Sequence, residues 1–316
     1  MNLGANSQRQ RVLVTGAGGV LGRAVVKALE NEGSMEFVAP SRRECDFNSW
    51  EQTSAFFREF SPDVVIHLAA RVSGVQGNMT FSGEAYRDNA MINLNVIEAA
   101  RLLGVQKIIA AGTVAIYPTK PGQPLSEEDI WAGPPHGSEA AYAHAKLGML
   151  AQLQSYRQQW GMDYAFLVFT NLFGPHDRFD EQYGHVVPSL ISRFHRLTRE
   201  NAPEIVVWGD GTPTRDFLFS ADAADAVLRC MTDVDGPVNV ASGQSLPIRD
   251  MVEALREISG FRGKIIWDTS KPNGQMMRAY NVDRMFASGW RPKYSLTEGL
   301  RATYRWFNDH LGEIRR

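Results

Sequence analysis

The sequence has little cysteine, little net charge and no long apolar run. Its 316 residues include only Cys45 and Cys230, which could form at most one bridge, so a disulfide scaffold is excluded. The formal net charge of −2 argues against a dedicated nucleic-acid binder. No apolar run approaches the ~18 residues of a membrane span, and the N-terminal residues are mostly polar. We therefore expect a soluble cytoplasmic protein with neither nucleic acid nor membrane as its partner.

Internal repeats, low-complexity tracts and blocks of like charge are also lacking. Hydrophobic residues make up 44% of the chain, which is too many for a disordered protein and enough for a large buried core. A chain of this length is expected to form one large domain or two small ones.

Short apolar runs alternate with helical patterns in the first half of the chain. Strands are predicted at residues 11–15, 36–39, 63–67, 107–111 and 164–168, and helices at 20–33, 82–103 and 139–160. Apolar strands that alternate with helices indicate a parallel sheet covered on both faces. The prediction is an α/β fold with a Rossmann-type doubly wound parallel sheet.

The second half is less regular and predicts a smaller C-terminal substrate-binding lobe. Helices are predicted at residues 186–199, 220–231 and 248–258, and a last helix begins at Ser295, where Glu298 completes a capping box. We predict a nucleotide-binding domain from residues 1–170, completed by about 214–240, and a lobe from 171–213 and 241–316. Residues 216–219 and 238–240 are predicted to return to the nucleotide-binding core.

A glycine-rich turn follows the first predicted strand and opens the first predicted helix. Gly16 allows a tight turn, Gly19 lets the backbone approach a pyrophosphate, and Gly22 allows close helix packing. The helix N-terminus, with Val20 and Leu21, offers N–H donors to phosphates. Three glycines also fit an ordinary strand–helix turn, but the flanking elements favour a dinucleotide site. The turn reads Thr15-Gly16-Ala17-Gly18-Gly19-Val20-Leu21-Gly22.

The end of the second predicted strand indicates which dinucleotide binds. NAD sites usually place an acid here for the ribose 2′-hydroxyl, whereas this chain has Ser41, Arg42 and Arg43. Two guanidinium groups suit a 2′-phosphate, although they could also be solvated surface charge. We predict NADP in preference to NAD, with Asp46 and Phe47 bordering the adenine, and no metal.

Tyr142 and Lys146 stand four residues apart and so share one face of a predicted helix. A phenol titrates near ~10, and a neighbouring ammonium lowers that pKa. Such a pair can exchange a proton with a carbonyl or alcohol beside a nicotinamide. The spacing also fits a surface contact, but its position after the glycine turn favours catalysis.

With these residues in place, the sequence resembles the extended short-chain dehydrogenases/reductases, and more narrowly the GDP-L-fucose synthases, which are GDP-4-keto-6-deoxymannose epimerase/reductases. The resemblance runs from about Arg11 to Phe307. It rests on the glycine turn and on motifs at residues 67–70, 95–99, 112–118, 171–175, 184–188, 206–209, 214–217 and 271–274.

The resemblance implies roles for single residues. Tyr142 would protonate O4 of a 4-keto sugar as hydride arrives at C4, and Lys146 would hold the nicotinamide ribose and depress the pKa of Tyr142. Thr113 matches the catalytic Ser, and His185 matches the epimerisation acid. Cofactor contacts are implied for Leu68, Ala69 and Ala70, and substrate contacts for Asn171, Val187, Arg193, Trp208, Arg215 and Arg278. Trp208 could instead be core, and Arg193 could pair with an acid on its own helix.

Two positions depart from the family. The family's epimerisation base is a Cys two residues after the catalytic Ser, where this chain has Ala115. Since epimerisation beside a ketone needs a base and an acid, we predict C4 reduction without C3/C5 epimerisation. His136 is an alternative base for one epimerisation. Met277 replaces a charged family residue near the nucleotide or sugar, so the substrate could be a GDP-hexose, a GDP-heptose or another nucleotide sugar.

Rival functions and the expected assembly also follow from the family. A 4,6-dehydratase would need an acid near Thr113, a 4-epimerase would retain bound NAD, and an NADP-sensing protein would not need the Tyr–Lys pair.

A homodimer is implied through a four-helix bundle of residues 82–103 and 139–160. The apolar side chains that could serve either this interface or the core are Met91, Leu94, Val96 and Leu150.

Overall fold

The structure is a computed structural model that describes residues 9–72, 74–119, 124–271 and 276–314. The strands are β1 (Arg11–Thr15), β2 (Glu36–Val38), β3 (Val64–His67), β4 (Lys107–Thr113), β5 (Asp163–Phe169), β6 (Asn171–Phe173), β7 (Glu204–Trp208), β8 (Thr214–Phe219), β9 (Gly236–Val240), β10 (Ser245–Pro247) and β11 (Lys264–Asp268). The helices are α1 (Val20–Glu32), α2 (Trp50–Phe60), α3 (Val75–Thr80), α4 (Ser82–Leu102), α5 (Ala140–Trp160), α6 (Val186–Arg199), α7 (Ser220–Arg229), α8 (Ile248–Ser259), α9 (Asp283–Ala287) and α10 (Leu296–Asp309).

Six parallel strands form the central sheet in the order β2-β1-β3-β4-β5-β9. Alternate side chains of each strand point to opposite faces. Leu13 therefore packs under α4 and α5, whereas Val12 and Val14 pack under α1 and α7. The predicted doubly wound parallel sheet is confirmed. Strand order reverses between β1 and β3, which is where such sheets bind their ligands.

A second core lies under α6, α8 and α10, and two small sheets border it. One sheet has the order β10-β8-β6, and the other pairs β11 with β7. The largest side chains of this core include Phe173, Phe179, Phe194, Phe261 and Phe307. This part of the chain corresponds to the predicted smaller lobe, and the residue boundaries between the lobes stay a prediction.

The two predicted returns to the central core have different outcomes. Strand β9 pairs with β5 and completes the central sheet, as residues 238–240 predict. Residues 216–219 lie in β8, which pairs with β6 and β10 outside the central sheet. Phe217 and Phe219 enter the second core, while Leu218 enters the central one, so the assignment of this segment to the nucleotide-binding domain stays a prediction.

The long helices α4 and α5 pack against each other. Met91 and Leu94 are exposed on α4, and they remain available for the predicted dimer contact. Val96 and Leu150 are fully buried in the core of the same chain, so they cannot serve an interface. None of the described helices is long and apolar enough to cross a membrane.

Candidate active site

A cleft of about 1690 Å³ opens at the carboxyl ends of the central strands, and residues from both halves of the chain line it. Every predicted catalytic, cofactor-binding and substrate-binding residue lies on its walls except Arg43. The fold therefore brings together side chains that are far apart in the sequence. Among the described residues, no group of three or more His, Cys, Asp or Glu side chains could hold a metal ion.

The glycine turn forms one end of the cleft. Gly16 has a φ of 74°, which disfavours other residues, and a Cβ there would lie 2.5 Å from the backbone nitrogen of Ala69. A Cβ on Gly22 would overlap the carbonyl oxygen of Gly16. Gly18, by contrast, has no atom within 4 Å of its Cβ position. The turn is thus a tight backbone cradle at the N-terminus of α1, and it fits a pyrophosphate.

A buried hydrogen-bond chain holds this turn to the neighbouring strand. Thr15 Oγ1 lies 2.8 Å from His67 Nδ1, and His67 Nε2 lies 3.1 Å from Asn93 Oδ1. The Thr15 hydroxyl also accepts from the backbone N–H groups of Leu68 and Ala69. Burial, together with the charge of Lys146, lowers the pKa of His67 to about 3. His67 therefore remains neutral and acts as a fixed support.

One arginine lines the part of the cleft where the 2′-phosphate of NADP is expected to bind. Ser41, Arg42, Asp46 and Phe47 line the cleft, and Arg42 Nη2 lies 3.4 Å from Asp46 Oδ2. The arginine side chain is mostly exposed, so it can turn toward a phosphate. Arg43 is exposed and lies outside the residues that line the cleft. Of the two arginines, Arg42 is therefore the better placed.

The predicted catalytic residues Thr113, Tyr142 and Lys146 lie at the end of β4 and in the first two turns of α5. Lys146 is only 1% exposed and donates to the carbonyl oxygen of Ala111 at 2.8 Å. Its Nζ lies 6.0 Å from the centre of the Tyr142 ring. Burial lowers the pKa of Lys146 to about 7. Thr113 lies at the end of β4, where its hydroxyl accepts from the N–H of Ala115.

The predicted lowering of the Tyr142 pKa is not found among the groups of the protein itself. Burial, with a smaller contribution from the charge of Glu139, raises the pKa of Tyr142 above its ordinary value. Lys146 does not offset this because its ammonium points to the carbonyl of Ala111. The phenol is therefore protonated at neutral pH, which is the form that reduction of a ketone requires.

The two positions that govern epimerisation in the family face the same space. Ala115 lines the cleft and is 2% exposed. His185 occupies the N-cap position of α6 without a side-chain capping hydrogen bond, and it is exposed to the cleft. The surrounding walls lower the pKa of its imidazole, and Glu139 acts in the opposite direction. His136 lines the cleft as well, with its Nδ1 3.0 Å from the hydroxyl of Ser138.

The predicted substrate residues also line the cleft. Arg193 on α6 donates to the carbonyl oxygen of Val206 on β7, so the alternative pairing with an acid on its own helix is not observed. Trp208 is 64% exposed, which rules out the alternative that it belongs to the core. Val187 lines the cleft but is only 2% exposed, and the Asn171 amide donates to the carbonyl oxygen of Asp216 at 2.8 Å.

Two further arginines approach the catalytic residues from the second half of the chain. Burial, reinforced by the positive charge of Arg278, lowers the pKa of Arg215. Arg278 Nη1 lies 3.4 Å from the carbonyl oxygen of Val114 and 3.9 Å from Glu139 Oε2. The cleft therefore offers positive charge to an anionic ligand close to Tyr142.

Sequence reasoning missed Glu139 and the supporting roles of Thr15 and Asn93. Glu139 lies one helical turn before Tyr142, so its position relative to the Tyr–Lys pair was the available signal. Asn93 gave no such signal, because its contact with His67 depends on how α4 packs over β3.

Known proteins resemble this chain in sequence and in fold. A family model described as the NAD dependent epimerase/dehydratase family matches residues 12–241. A probable GDP-L-fucose synthase 1 from Oryza sativa subsp. japonica is 38% identical over 304 residues, covering 95% of this chain and 93% of the relative. Two solved structures are similar throughout. A GDP-L-fucose synthetase from Naegleria fowleri bound to NADP has a TM-score of 0.91 and 27% identity, with 98% and 97% of the two chains covered.

The second solved structure is a GDP-mannoheptose C4 reductase from Campylobacter jejuni with NADP bound. It has a TM-score of 0.86 and 26% identity, with 95% of this chain and 98% of that chain covered. The predicted family resemblance is confirmed by the model match and by the rice relative. The chain belongs to the NAD dependent epimerase/dehydratase family, within the extended short-chain dehydrogenases/reductases.

Proposed function

We propose that the protein is an NADPH-dependent C4 ketoreductase of a GDP-linked 4-keto-6-deoxy sugar, a hexose or a heptose, that lacks C3/C5 epimerase activity. One observation carries the proposal. Tyr142, Lys146 and Thr113 line one cleft, whereas the neighbouring wall position that would hold the epimerisation base is Ala115. The names of the similar proteins support a GDP-sugar and NADP.

The glycine turn would hold the pyrophosphate of the cofactor, and Arg42 would bind its 2′-phosphate. When bound, NADPH supplies the hydride that reduces the C4 ketone. Lys146, which lines the cleft, would bind the nicotinamide ribose. The substrate diphosphate would lie against Arg193 and Arg215, which bring positive charge to the cleft.

Tyr142 acts as the general acid. Its raised pKa keeps the phenol protonated, so its proton can pass from Oη to the O4 oxygen as the C4–O double bond becomes a single bond. The Thr113 hydroxyl would donate a hydrogen bond to the same oxygen and orient the ketone. The product is the C4 alcohol, and the phenolate then regains a proton from solvent.

Epimerisation would need a different proton transfer. A base must remove the proton from C3 or C5 while an acid delivers one to the opposite face. His185 retains the acid position, but the methyl group of Ala115 cannot accept a proton. Reduction does not use this position, so it can proceed alone.

Turnover in deuterated water tests the proposal. With GDP-4-keto-6-deoxymannose and NADPH, we expect oxidation of one NADPH per product and no deuterium at C3 or C5, measured by NMR and mass spectrometry. Deuterium entering either carbon at the turnover rate would contradict the absence of epimerisation. No consumption of NADPH would contradict the reductase itself.

The substitution Ala115→Cys provides a matched gain-of-function test. A thiol at this position would line the same cleft as His185, and we expect deuterium to enter C3 or C5 of the substrate. Ala115→Ser is the control, because a hydroxyl of similar size is a much weaker base. Exchange in wild-type protein that disappears in His136→Ala would instead favour a bifunctional enzyme with His136 as its base.

The cofactor preference gives a separate prediction. We expect Arg42→Ala to raise the Kd for NADPH about tenfold to 100-fold and to change the Kd for NADH little, because a charge-assisted hydrogen bond is worth ~1.5–3 kcal/mol. Arg43→Ala is the control and should have a smaller effect. An equal rise in the Kd values for NADPH and NADH would show that Arg42 does not bind the 2′-phosphate.

The remaining predictions are part of the same proposal. We expect a cytoplasmic homodimer in which α4 and α5 form a four-helix bundle with their copies. Tightly bound NAD in the purified protein would favour a 4-epimerase instead. Full function of a Tyr142→Phe variant would favour an NADP-sensing protein.

A further inference from the structure

Glu139 is a carboxylate in the catalytic part of the cleft. It lies three residues before Tyr142 at the start of α5 and lines the same wall. Its side chain is 29% exposed, so it is partly shielded from bulk solvent. The side chain makes no capping hydrogen bond to the first turn of α5. The positive end of the α5 dipole favours an acid at this position, and the carboxylate oxygens are not used in capping the helix.

Arg278 holds this carboxylate in place from the other side of the cleft. Its Nη1 lies 3.9 Å from Glu139 Oε2, and its side chain is only 10% exposed. This separation is longer than a hydrogen bond, so the interaction is mainly electrostatic. A carboxylate can accept about four hydrogen bonds. Arg278 therefore stabilises the negative charge of Glu139, and the carboxylate, which lines the cleft, can accept hydrogen bonds from a ligand there.

The surroundings of Glu139 identify the part of the substrate that it faces. Glu139 stands three residues before Tyr142, and both residues line the cleft together with His185. In keeping with this, the charge of Glu139 acts to raise the pKa of both the Tyr142 phenol and the His185 imidazole. Under the proposed function, Tyr142 approaches O4 and His185 approaches the neighbouring ring carbons. In a 4-keto-6-deoxy sugar, the hydroxyl group next to the ketone is on C3. An ionised carboxylate is a strong acceptor for such a hydroxyl.

We propose that Glu139 is a specificity-determining residue that accepts a hydrogen bond from the C3 hydroxyl of the substrate sugar. The proposal rests on the proposed function, because Tyr142 defines where O4 lies. It also assigns a role to Arg278, which acts as a positioning residue for the carboxylate. The sugar would then be selected by its hydroxyl pattern as well as by its nucleotide.

A double-mutant cycle between protein and substrate tests this role. Wild type and Glu139→Ala are compared on GDP-4-keto-6-deoxymannose and on its 3-deoxy analogue, with NADPH for kcat/KM and with NADP⁺ for Kd. We expect removal of the hydroxyl to lower wild-type kcat/KM about tenfold to 100-fold. In Glu139→Ala, removal of the C3 hydroxyl should lower kcat/KM less than threefold. Glu139→Gln should retain part of the discrimination, since an amide oxygen still accepts.

Glu181→Gln is the matched control. Glu181 also lines the cleft, but its carboxylate pairs with Arg196 on α6 at 3.0 Å. We expect this variant to discriminate between the two sugars as wild type does. Equal discrimination by wild type and Glu139→Ala, in both kcat/KM and Kd, would overturn the role of Glu139.

The two readouts separate this inference from the proposed function. Absence of NADPH oxidation by wild type would overturn the proposed reaction, while the Kd values would still report on Glu139. If wild type binds the GDP-sugar no more tightly than GDP, both proposals are overturned, because no protein group would then contact the sugar productively.

Discussion

Replacement of Tyr142 by phenylalanine is expected to lower kcat for ketone reduction by about 10²–10⁴-fold. The change removes one oxygen atom, and with it the proton that O4 must receive as hydride arrives. The aromatic ring and its packing against the core remain. The measurement is NADPH oxidation with saturating GDP-4-keto-6-deoxymannose, together with the Kd for NADPH by fluorescence titration. We expect that Kd to stay within about threefold of wild type, since the phenol's main role is proton transfer.

Tyr156→Phe is the control on the same helix. Its hydroxyl donates to Glu98 at 2.8 Å, so this variant loses a hydrogen bond without touching the cleft. Comparable losses of kcat in both variants would point to a structural effect. A Tyr142→Phe enzyme that keeps more than a tenth of wild-type kcat would show that another group supplies the proton.

Gly22→Ala is expected to give the second large effect. Helix propensity alone predicts a gain of about 1 kcal/mol, because alanine is the better helix former. The new Cβ, however, would overlap the carbonyl oxygen of Gly16 and the backbone of Ala17. Overpacking costs about 1–3 kcal/mol even where side chains can move, and here the opposing atoms are backbone. We expect the free energy of unfolding to fall by about 2 kcal/mol and NADPH binding to weaken at least tenfold.

Gly18→Ala distinguishes this overlap from a general intolerance of the turn. No atom lies within 4 Å of its Cβ position, and its backbone needs no left-handed conformation. Urea unfolding without added cofactor should give a free energy of unfolding within about 0.5 kcal/mol of wild type. A Gly22→Ala protein as stable as wild type would show that the close contact can relax at no cost.

Periodicity and turn chemistry predicted most of the central domain. The apolar run at residues 11–15 and the glycines that follow specify β1 and the start of α1, because each signal is local. The amphipathic pattern at 186–199 predicts α6 with both ends correct. The capping box at Ser295 and Glu298 likewise marks the start of α10.

Features that depend on packing between distant segments were not predictable. Helix α2 and strands β7 and β11 were absent from the prediction. The pairing of β8 with β6 and β10 was not predicted, since a strand with two apolar faces does not reveal its neighbours. The approach of Arg278 to Glu139 joins residues on either side of the cleft, and no local pattern signals it.

The electrostatic state of the site also depends on the fold. The spacing of Tyr142 and Lys146 predicts that they share a helix face, and both line the cleft, but the predicted direction of the Tyr142 pKa shift is not found. Spacing specifies which side chains share a helix face. It does not specify how deeply they are buried, and burial is the main cause of both shifts.

The two cysteines bear on how the protein withstands oxidation. Cys45, which borders the cleft, is 1% exposed, and burial with the charge of Asp46 raises the pKa of its thiol to about 11. Burial raises the pKa of Cys230 to about 12. Both thiols therefore stay protonated, and peroxide attacks thiolates. An enzyme that uses a cysteine as its base keeps an oxidisable thiol in its active site, whereas ketone reduction by this protein requires no cysteine.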